Sequence, residues 1–319
     1  MLYPQNTRMF NRWLILIVFF GSGTHCISAL GDGMENRNTY ELPRKIDPEA
    51  VSSIEEIFFA GKKRVRLTTN HYEVIASLPE SGILVGERLE HLSNVWNLLS
   101  AEAMMETKSD CEQHQHQVII FSNKKEYTFN LLHIDPFIDQ TNGFYFAPMK
   151  TAYFFSPESK VLFHEGTHQI FVERFFREKK PAFRNNFWAV EGIALFMETL
   201  QVEEECYKIG NILDNRLYAA KVYQFERNYN LPIRKLAAMS AAEIKANKEI
   251  VRIYSQSAAL VHWLMFAEEG RYRNPLFELL RQTYLDTATP DTLSELTGLS
   301  YEALDKIYVE FLKTIPGEK

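Results

Sequence analysis

The residues of this chain best suited to chemistry are the HEGTH pentad at positions 164–168. Its two histidines, His164 and His168, lie on one face of a helix, one turn apart. That spacing lets both imidazoles reach one zinc ion, and Glu165 beside them can accept a proton from the water that the metal activates. The pentad therefore predicts a hydrolytic zinc centre, if it is helical and a third ligand exists.

The residues around the pentad predict a buried helix. Ser156 is a candidate N-cap with Pro157 in the first helical position, and Pro181 marks the far end of the pattern. The apolar residues between them recur at roughly helical spacing: Val161, Leu162, Phe163, Ile170, Phe171 and Phe175. The alternative is a structural helix that carries two histidines by chance.

The third metal ligand should lie outside the pentad, because catalytic zinc usually takes three protein ligands and keeps one position for water. No histidine occurs at 169–175, whereas the strongly apolar run at 187–198 contains Glu191. A carboxylate is rarely buried unless it is paired or binds a metal. Glu191 is therefore the predicted third ligand, and a solvated acid near a helix start is the alternative.

A second glutamate on the same predicted helix has a different candidate role. Glu198 follows Glu191 by two helical turns, which returns it to the same face about 10 Å along the axis. It is too distant to share the metal easily, but it could hydrogen-bond the free ring nitrogen of a metal-bound histidine. A solvated acid at the helix end is the equally weighted alternative. Asn185 or Asn186 is the predicted N-cap of this helix.

Together these motifs resemble the gluzincin class of zinc peptidases: HEGTH, then WxxEGIAxxxE, then a YSQSAALVHWL helix. More narrowly, they resemble the minigluzincin or peptidase MA-like proteins, which include a secreted family of unknown function. The resemblance spans most of the chain, and its specific part is 156–198. It implies a zincin-like fold and peptidase activity with one zinc ion per chain. It makes His164, His168 and Glu191 the ligands and Glu165 the general base.

Two supporting roles of such a centre fall to residues outside the ligand set. The usual gluzincin pattern has an acid three or four residues after the ligand glutamate, but Ala194 and Leu195 occupy those positions, so the role moves to Glu198. Amide hydrolysis also needs a hydrogen-bond donor for the oxyanion. Tyr254 is the first candidate donor and His262 the second. Their alternatives are a packing tyrosine and a core histidine.

Three further features each have two interpretations. His114 and His116 would share a strand face and could form a second metal site, but we favour a polar loop that leads into a strand. The basic run at 177–180 either faces acidic substrates or, as we favour, is a solvated turn. Cys111 and Cys206 could form a disulfide in an exported chain, and the sequence does not decide whether they meet.

Composition and the N-terminus constrain partners and location. The 319-residue chain is 46% hydrophobic and carries a net charge of −6, which argues against a nucleic-acid-binding surface. Residues 1–29 contain basic residues, an apolar core at 13–20 and then small residues, as in a secretory signal peptide. That core is too short to span a bilayer. We predict a secreted or periplasmic protein without a stable membrane span, with a retained N-terminal anchor as the alternative.

The predicted fold class is α+β: a mixed sheet with a helix, followed by a mainly helical half that carries the metal ligands. Residues 30–50 are predicted to be a linker, and 51–319 a single catalytic domain with an α/β part at 51–155 and a helical part at 156–319. The predicted strands lie in 64–77, 117–122 and 143–155, and the clearest helices at 82–100, 254–266 and 301–314, the last with Ser300 as N-cap.

Three functions remain open at this point. The first is a secreted zinc metallopeptidase, the second a zinc amidase acting on a cell-wall or other non-peptide amide, and the third a metal-binding structural protein without turnover. The presence of a complete ligand set and base favours an enzyme. Residues 151–155 are predicted to lie at the lip of the cleft as an edge strand that pairs with an extended polypeptide substrate. An ordinary internal strand is the alternative.

Overall fold

The computed structural model describes residues 39–44, 51–102, 115–175 and 181–317. They form a mixed α/β protein in which a six-stranded sheet and its helices precede a mainly helical half, as the α+β prediction expected. No helix within these ranges is long and apolar enough to cross a membrane. Several predictions lie outside the described residues: the signal peptide, most of the linker, Cys111, His114 and the basic run at 177–180.

The main sheet is built from six strands. They are β2 (Ser53–Phe59), β3 (Lys62–Thr68), β4 (Tyr72–Ala76), β5 (His116–Ile120), β6 (Gly143–Phe146) and β7 (Thr151–Phe154). Their order across the sheet is β2-β3-β4-β5-β7-β6, with β4, β5 and β7 parallel and the other neighbours antiparallel. The strands predicted in 64–77, 117–122 and 143–155 are confirmed, and the last segment forms the hairpin of β6 and β7.

Eleven α-helices lie in the described residues. They are α1 (Pro79–Glu102), α2 (Lys124–Leu131), α3 (Ser159–Phe175), α4 (Phe187–Met197), α5 (Asn215–Phe225), α6 (Ile233–Ala238), α7 (Ala241–Lys245), α8 (Ile250–Phe266), α9 (Arg273–Tyr284), α10 (Thr292–Thr297) and α11 (Tyr301–Thr314). The three clearest predicted helices correspond to α1, α8 and α11. The Ser300 hydroxyl accepts a hydrogen bond from the Ala303 N–H at 3.3 Å, which confirms the predicted N-cap.

Alternation along the β6–β7 hairpin directs side chains into two separate cores. Tyr145 and its register partner Ala152 belong to the large core, which also contains α1, α3 and the helical half. Phe144 and its partner Tyr153 point to the opposite face, where α2 covers a smaller core. Because successive strand residues face opposite sides, the hairpin can hold α3 against the sheet and still be covered on its back.

The predicted linker is wrong at residues 40–43. These residues form strand β1 (Tyr40–Pro43), which pairs antiparallel with β9 (Cys206–Ile209), and β9 pairs in turn with β8 (Gln201–Val202). Leu42 of β1 is buried in the main core. The segment is mostly polar, so its one buried apolar residue, Leu42, does not stand out in the sequence. The strand that pairs with it, β9, lies more than 150 residues away in the chain.

The predicted edge strand at 151–155 is also wrong. Strand β7 is hydrogen-bonded to β5 on one side and to β6 on the other, so it is an internal strand and its main chain is already paired. The strand at this end of the sheet is β6. Strand β6 pairs with the outer side of β7, and a local sequence pattern does not specify this contact.

Candidate metal centre

Helix α3, which carries the pentad, begins later than the sequence predicted. Ser156 does not cap it: its hydroxyl accepts a hydrogen bond from the Glu158 N–H at 3.3 Å and closes a turn before the helix. Pro157 is not its first residue, since the helix begins at Ser159; the Pro157 carbonyl accepts a hydrogen bond from the Arg88 guanidinium of α1. The first helical carbonyl is that of Glu158, which accepts from the Leu162 N–H at 3.1 Å.

The α3 helix is buried on all sides around the pentad. Every residue from Val161 to Val172 is buried, which is typical of a helix at the centre of a domain. Gly166 permits a close approach of α1, because a Cβ at this position would lie 2.6 Å from Leu92. Farther along, the rings of Trp96 and Phe171 meet edge to face at 4.5 Å. Packing therefore fixes the orientation of the helix and of its histidines.

Helix α4 is buried along its whole length and carries Glu191. Asn186 occupies the predicted N-cap position, but its side chain does not cap the helix. The Asn186 amide donates to the Thr289 carbonyl at 2.8 Å, and its Oδ1 accepts from the Trp188 indole N–H at 3.3 Å. Asn186 also has a φ of 52°. The start of α4 is thus anchored to the loop before α10 instead of being capped.

The two histidines and Glu191 converge on one point. The Nε2 atoms of His164 and His168 are 3.2 Å apart, and Oε2 of Glu191 lies 3.6 Å from the first and 3.8 Å from the second. All three side chains are buried, and Glu191 is 0% exposed. Neither carboxylate oxygen of Glu191 has a hydrogen-bond partner among the described residues. This group could hold a metal ion. The solvated alternative for Glu191 is wrong.

When no metal is bound, the charges of this buried group favour a proton on His164. Burial on its own lowers the pKa of His164, but Glu191 and Glu198 raise it to about 10. Burial lowers the pKa of His168 to about 3. Burial on its own raises the pKa of Glu191, but His164 and His168 lower it to about 2. At neutral pH, a proton on His164 therefore compensates the Glu191 carboxylate at the position where a metal ion would bind.

The Glu165 carboxylate is held in place by the β6 strand. Its Oε2 accepts a hydrogen bond from the Tyr145 N–H at 2.9 Å, and its buried Oε1 has no partner among the described residues. Burial raises the pKa of Glu165 to about 7. Gly143 makes room for this side chain, because a Cβ there would lie 3.0 Å from Glu165 Cγ and 2.6 Å from Val161. The arrangement leaves one carboxylate oxygen available to a proton.

Glu198 supports the group from behind. Its Oε1 lies 2.8 Å from Nδ1 of His164, on the side of the ring away from Glu191, and the residue is 8% exposed. Arg216 Nε lies 3.8 Å from its other oxygen. Of the two interpretations of Glu198, the structure therefore favours a hydrogen-bond partner of His164 over a solvated acid.

The two candidate donors on α8 differ in their surroundings. Tyr254 is 4% exposed, its hydroxyl has no hydrogen-bond partner within the described ranges, and burial and the Glu191 charge raise its pKa well above 10. His262 instead places Nε2 3.2 Å from the Gly210 carbonyl and stacks on Phe311. It is a core histidine.

His116 pairs with a carboxylate of helix α3. Its Nδ1 lies 2.9 Å from Oε2 of Glu173, which is on α3, and its ring packs at 5.2 Å from that of Tyr72. His116 is the first residue of β5, so the strand begins two residues before Val118. The favoured interpretation, a polar loop, is therefore wrong at His116, and the alternative of a second metal site is untested because His114 lies outside the described residues.

Sequence reasoning missed two polar residues that line a cavity beside the triad. Lys245, at the end of α7, has a buried Nζ atom, and burial lowers its pKa to about 8 although Glu191 and Glu165 oppose that shift. Tyr284, at the end of α9, has a buried hydroxyl. Each residue stands at a helix end among polar neighbours, so the local sequence is typical of a solvated position.

Comparison with known proteins assigns no family. No protein-family model matches the sequence, and no curated protein matches it. The function must therefore be inferred from the chemistry of the buried group on α3 and α4 and from the residues that hold it in place.

Proposed function

We propose that this chain is a zinc-dependent hydrolase of the gluzincin type that cleaves peptide bonds. His164, His168 and Glu191 would bind the metal, and Glu165 would be the general base. The observation that carries the proposal is the Glu165 carboxylate: one oxygen is fixed by the Tyr145 N–H, and the other is buried without a partner beside three convergent ligand side chains. A purely structural metal site has no use for such a carboxylate.

The ligand set fits zinc. Two imidazole nitrogens and one carboxylate form one of the common sets of catalytic zinc ligands, which leave a fourth position for water. Zinc bonds of about 2.0–2.1 Å in a tetrahedral arrangement separate neighbouring ligand atoms by about 3.3 Å. The two Nε2 atoms are 3.2 Å apart, and Glu191 Oε2 lies 3.6 and 3.8 Å from them. Small rotations of the Glu191 side chain would close the set.

The protein residues divide the remaining chemistry among them. A bound zinc ion would activate water and polarise the scissile carbonyl. The free Glu165 oxygen would accept the water proton and deliver it to the leaving amine. The Tyr254 hydroxyl would donate to the developing oxyanion. Glu198 would accept the Nδ1 proton of His164 and so keep Nε2 available for the metal.

An extended polypeptide is the substrate class that this architecture supports best. Strand β6 ends the main sheet, and one of its backbone N–H groups, that of Tyr145, binds the proposed base. A peptide that adds to a sheet edge by main-chain hydrogen bonds would lie beside the catalytic carboxylate. The pairing role expected of 151–155 thus belongs to β6 in this proposal. The signal-like sequence of residues 1–29 supports an exported enzyme.

The metal is tested by analysing the metal content of the purified chain. We expect about one zinc per chain in the wild type, and loss of that zinc in His168→Ala. The matched control is His133→Ala, because His133 is exposed. A wild type that takes up no zinc from excess metal would refute the proposal.

Catalysis is tested with a peptide library and the Glu165→Gln variant. The variant should retain zinc and lose at least 10²-fold in kcat, because a general base contributes about 10²–10⁴-fold. Glu158→Gln, at an exposed position near the start of the same helix, should behave as the wild type. Undiminished hydrolysis by Glu165→Gln would remove Glu165 from the mechanism.

A further inference from the structure

A small cavity adjoins the candidate metal centre. His168 and Glu191 are among its lining residues, and most of the other lining side chains are apolar or aromatic. The space that the centre of a water molecule could occupy in it is about 30 Å³. A cavity of about 150 Å³ holds benzene, so this one has room for a group of about methyl size. A side chain that enters it would lie directly beside two metal ligands, where the substrate residue next to the scissile bond would be.

Three aromatic rings form a fixed part of the cavity wall. They belong to Phe183, Phe187 and Tyr284. The Phe183 ring lies 5.4 Å from that of Phe187 and meets the Tyr284 ring edge to face at 5.3 Å. Tyr284 in turn stacks on Phe171 at 5.2 Å. Rings packed on one another in this way cannot retreat to admit a larger group without disturbing their neighbours. Because Phe183 contacts both of the other rings, its position limits the space in the cavity.

The backbone of Phe183 has an unusual conformation. Its φ is 45°, in the left-handed region that bulky side chains rarely adopt. Such a conformation is unfavourable, persists only where the surrounding structure imposes it, and is found most often at functional sites. Phe183 is also buried, at 2% exposed. The fold therefore holds this ring in the cavity wall against the preference of its own backbone.

Asp286 holds Phe183 in this conformation. Its Oδ1 accepts hydrogen bonds from the N–H groups of Ala182 at 3.0 Å and Phe183 at 3.1 Å, and its Oδ2 accepts from Ala182 at 2.7 Å. The Phe183 carbonyl accepts a hydrogen bond from the Ala241 N–H at 2.9 Å. Both main-chain polar groups of Phe183 are thus bound. Asp286 follows Tyr284 by two residues, so it fixes Phe183 relative to the ring that packs beside it.

We propose that Phe183 is a specificity-determining residue that keeps this cavity small, and that Asp286 is the positioning residue that holds it there. The inference rests on the proposed hydrolase function and deepens it, because it narrows the substrate class to peptides with a small side chain, such as alanine, at the residue that enters the cavity. A larger side chain would meet the packed rings. One methylene in an apolar pocket changes specificity about 10- to 200-fold, so the wild type should favour alanine over leucine at least tenfold.

Two measurements on the full chain test this preference. Competitive cleavage of a peptide library by the zinc-loaded chain, read by mass spectrometry, gives relative kcat/KM for alanine, leucine and phenylalanine beside the cleaved bond. NMR titration of the zinc-loaded and metal-free chain with the N-acetyl methylamides of the same amino acids measures binding without catalysis. Phe183→Ala should reduce the alanine preference to below about threefold, because the cavity then extends into the space of the ring. Phe183→Leu should give an intermediate preference.

Variants of Asp286 test the same inference without removing a buried side chain, since Asp286 is exposed. Its φ is 55°, which glycine and asparagine both tolerate. Asp286→Gly removes the carboxylate and should reduce the alanine preference about threefold or more, while zinc affinity stays within about twofold of wild type. Asp286→Asn keeps an acceptor oxygen for both N–H groups and should retain the preference. Leu285→Ala, at an exposed position of the same turn, is the control and should behave as the wild type.

The outcomes separate this inference from the proposed function. An equal response to alanine and leucine in the wild type would overturn the inference, and so would a preference that keeps its wild-type value in both Phe183→Ala and Asp286→Gly. In a chain that binds zinc and cleaves peptides, either result leaves the hydrolase intact. A chain that neither binds zinc nor cleaves peptides, but prefers the alanine amide in a Phe183-dependent way, loses the hydrolase and keeps the small-residue pocket.

Discussion

Oε1 of Glu198 lies 2.8 Å from Nδ1 of His164, and both residues are buried. Helix α4 therefore supplies two carboxylates to the same imidazole: Glu198 next to Nδ1, and Glu191 3.6 Å from Nε2. Because Glu198 accepts the Nδ1 proton, the neutral His164 ring has its lone pair on Nε2, which faces the other ligand atoms. The two glutamates, two helical turns apart, therefore lie on opposite sides of one imidazole ring.

Replacing Glu198 by alanine should weaken metal binding about 10- to 100-fold, because carboxylates that orient a ligand histidine typically contribute that much to metal affinity. The measurement is competition with a chelator of known zinc affinity. Glu204→Ala is the control, since Glu204 is exposed. An unchanged zinc affinity in Glu198→Ala would show that packing alone orients the ring.

Zinc binding should release about one proton per chain at pH 7. The pKa of His164 is about 10 without a metal because Glu191 and Glu198 outweigh the effect of burial. The ring is then protonated at neutral pH, and it must lose that proton before Nε2 can bind a metal. Calorimetry in buffers of different ionisation enthalpy measures the release. Zinc binding without proton release would contradict the prediction.

The stability of the metal-free protein should fall as the pH rises from 6.5 to 8. The folded-state pKa of His164, about 10, exceeds its unfolded value of 6.5, so its contribution is complete below pH 6.5 and is lost as the pH rises through 10. Over this window the loss is about 2 kcal/mol. Glu165, with a pKa of about 7, adds to the loss near pH 7. His168, with a folded-state pKa of about 3, opposes the loss near pH 6.5, and Lys245, with a pKa of about 8, opposes it above pH 8.

Urea unfolding at several pH values, with chelator present, measures this dependence. His164→Gln should reduce the slope because it removes the largest shift toward protonation in the centre. His133→Gln, at an exposed site, should retain the wild-type slope. Identical slopes in wild type and His164→Gln would mean that His164 is not charged in the folded, metal-free protein.

Local periodicity was sufficient to predict the centre of the site. The pentad fixes two side chains on one helical face, and Glu191 was conspicuous as an acid in an apolar run. The structure brings these three residues together, with Glu165 beside them. The predicted strands and the longest helices were likewise recognisable, because each has a strong repeat of its own.

What the sequence did not specify depends on contacts between distant segments. Strand β7 is internal because β6 folds back along its outer side, and β1 belongs to the fold because it pairs with β9. The start of α3 at Ser159, three residues after Ser156, was likewise not specified by the local sequence. The burial of Lys245 was not anticipated, because residues from distant segments surround its Nζ atom.

Removing Glu191 should abolish tight metal binding without unfolding the metal-free protein. Desolvation offsets most of the attraction between its buried carboxylate and the protonated His164, and without Glu191 the His164 ring can lose its proton instead of remaining a buried charge. Glu191→Ala should therefore lose zinc and lose the rise in melting temperature that zinc gives the wild type. Melting curves with and without added zinc measure both effects. Full zinc stabilisation of the variant would exclude Glu191 as a ligand.

The contact between α4 and α8 predicts a sharp effect of substituting Gly192, the neighbour of Glu191. A Cβ at this position would lie 2.6 Å from Val261 Cγ2 and 2.8 Å from the Ser257 carbonyl oxygen, both on α8. The backbone oxygen cannot move without shifting its helix. Overpacking should cost about 1–3 kcal/mol, and the better helix propensity of alanine should return about 1 kcal/mol. Gly192→Ala should therefore destabilise the fold by up to about 2 kcal/mol.

The same substitution should weaken zinc binding, because a displaced α4 carries both Glu191 and Glu198 away from His164. Chemical unfolding and chelator competition on one protein preparation measure the two losses together. Gly317→Ala is the matched control, since a Cβ at Gly317 would meet nothing within 4 Å. A loss of stability with wild-type zinc affinity would show that the triad adjusts to a shift of α4, and the ligand glutamate would then be less rigidly positioned than its packing indicates.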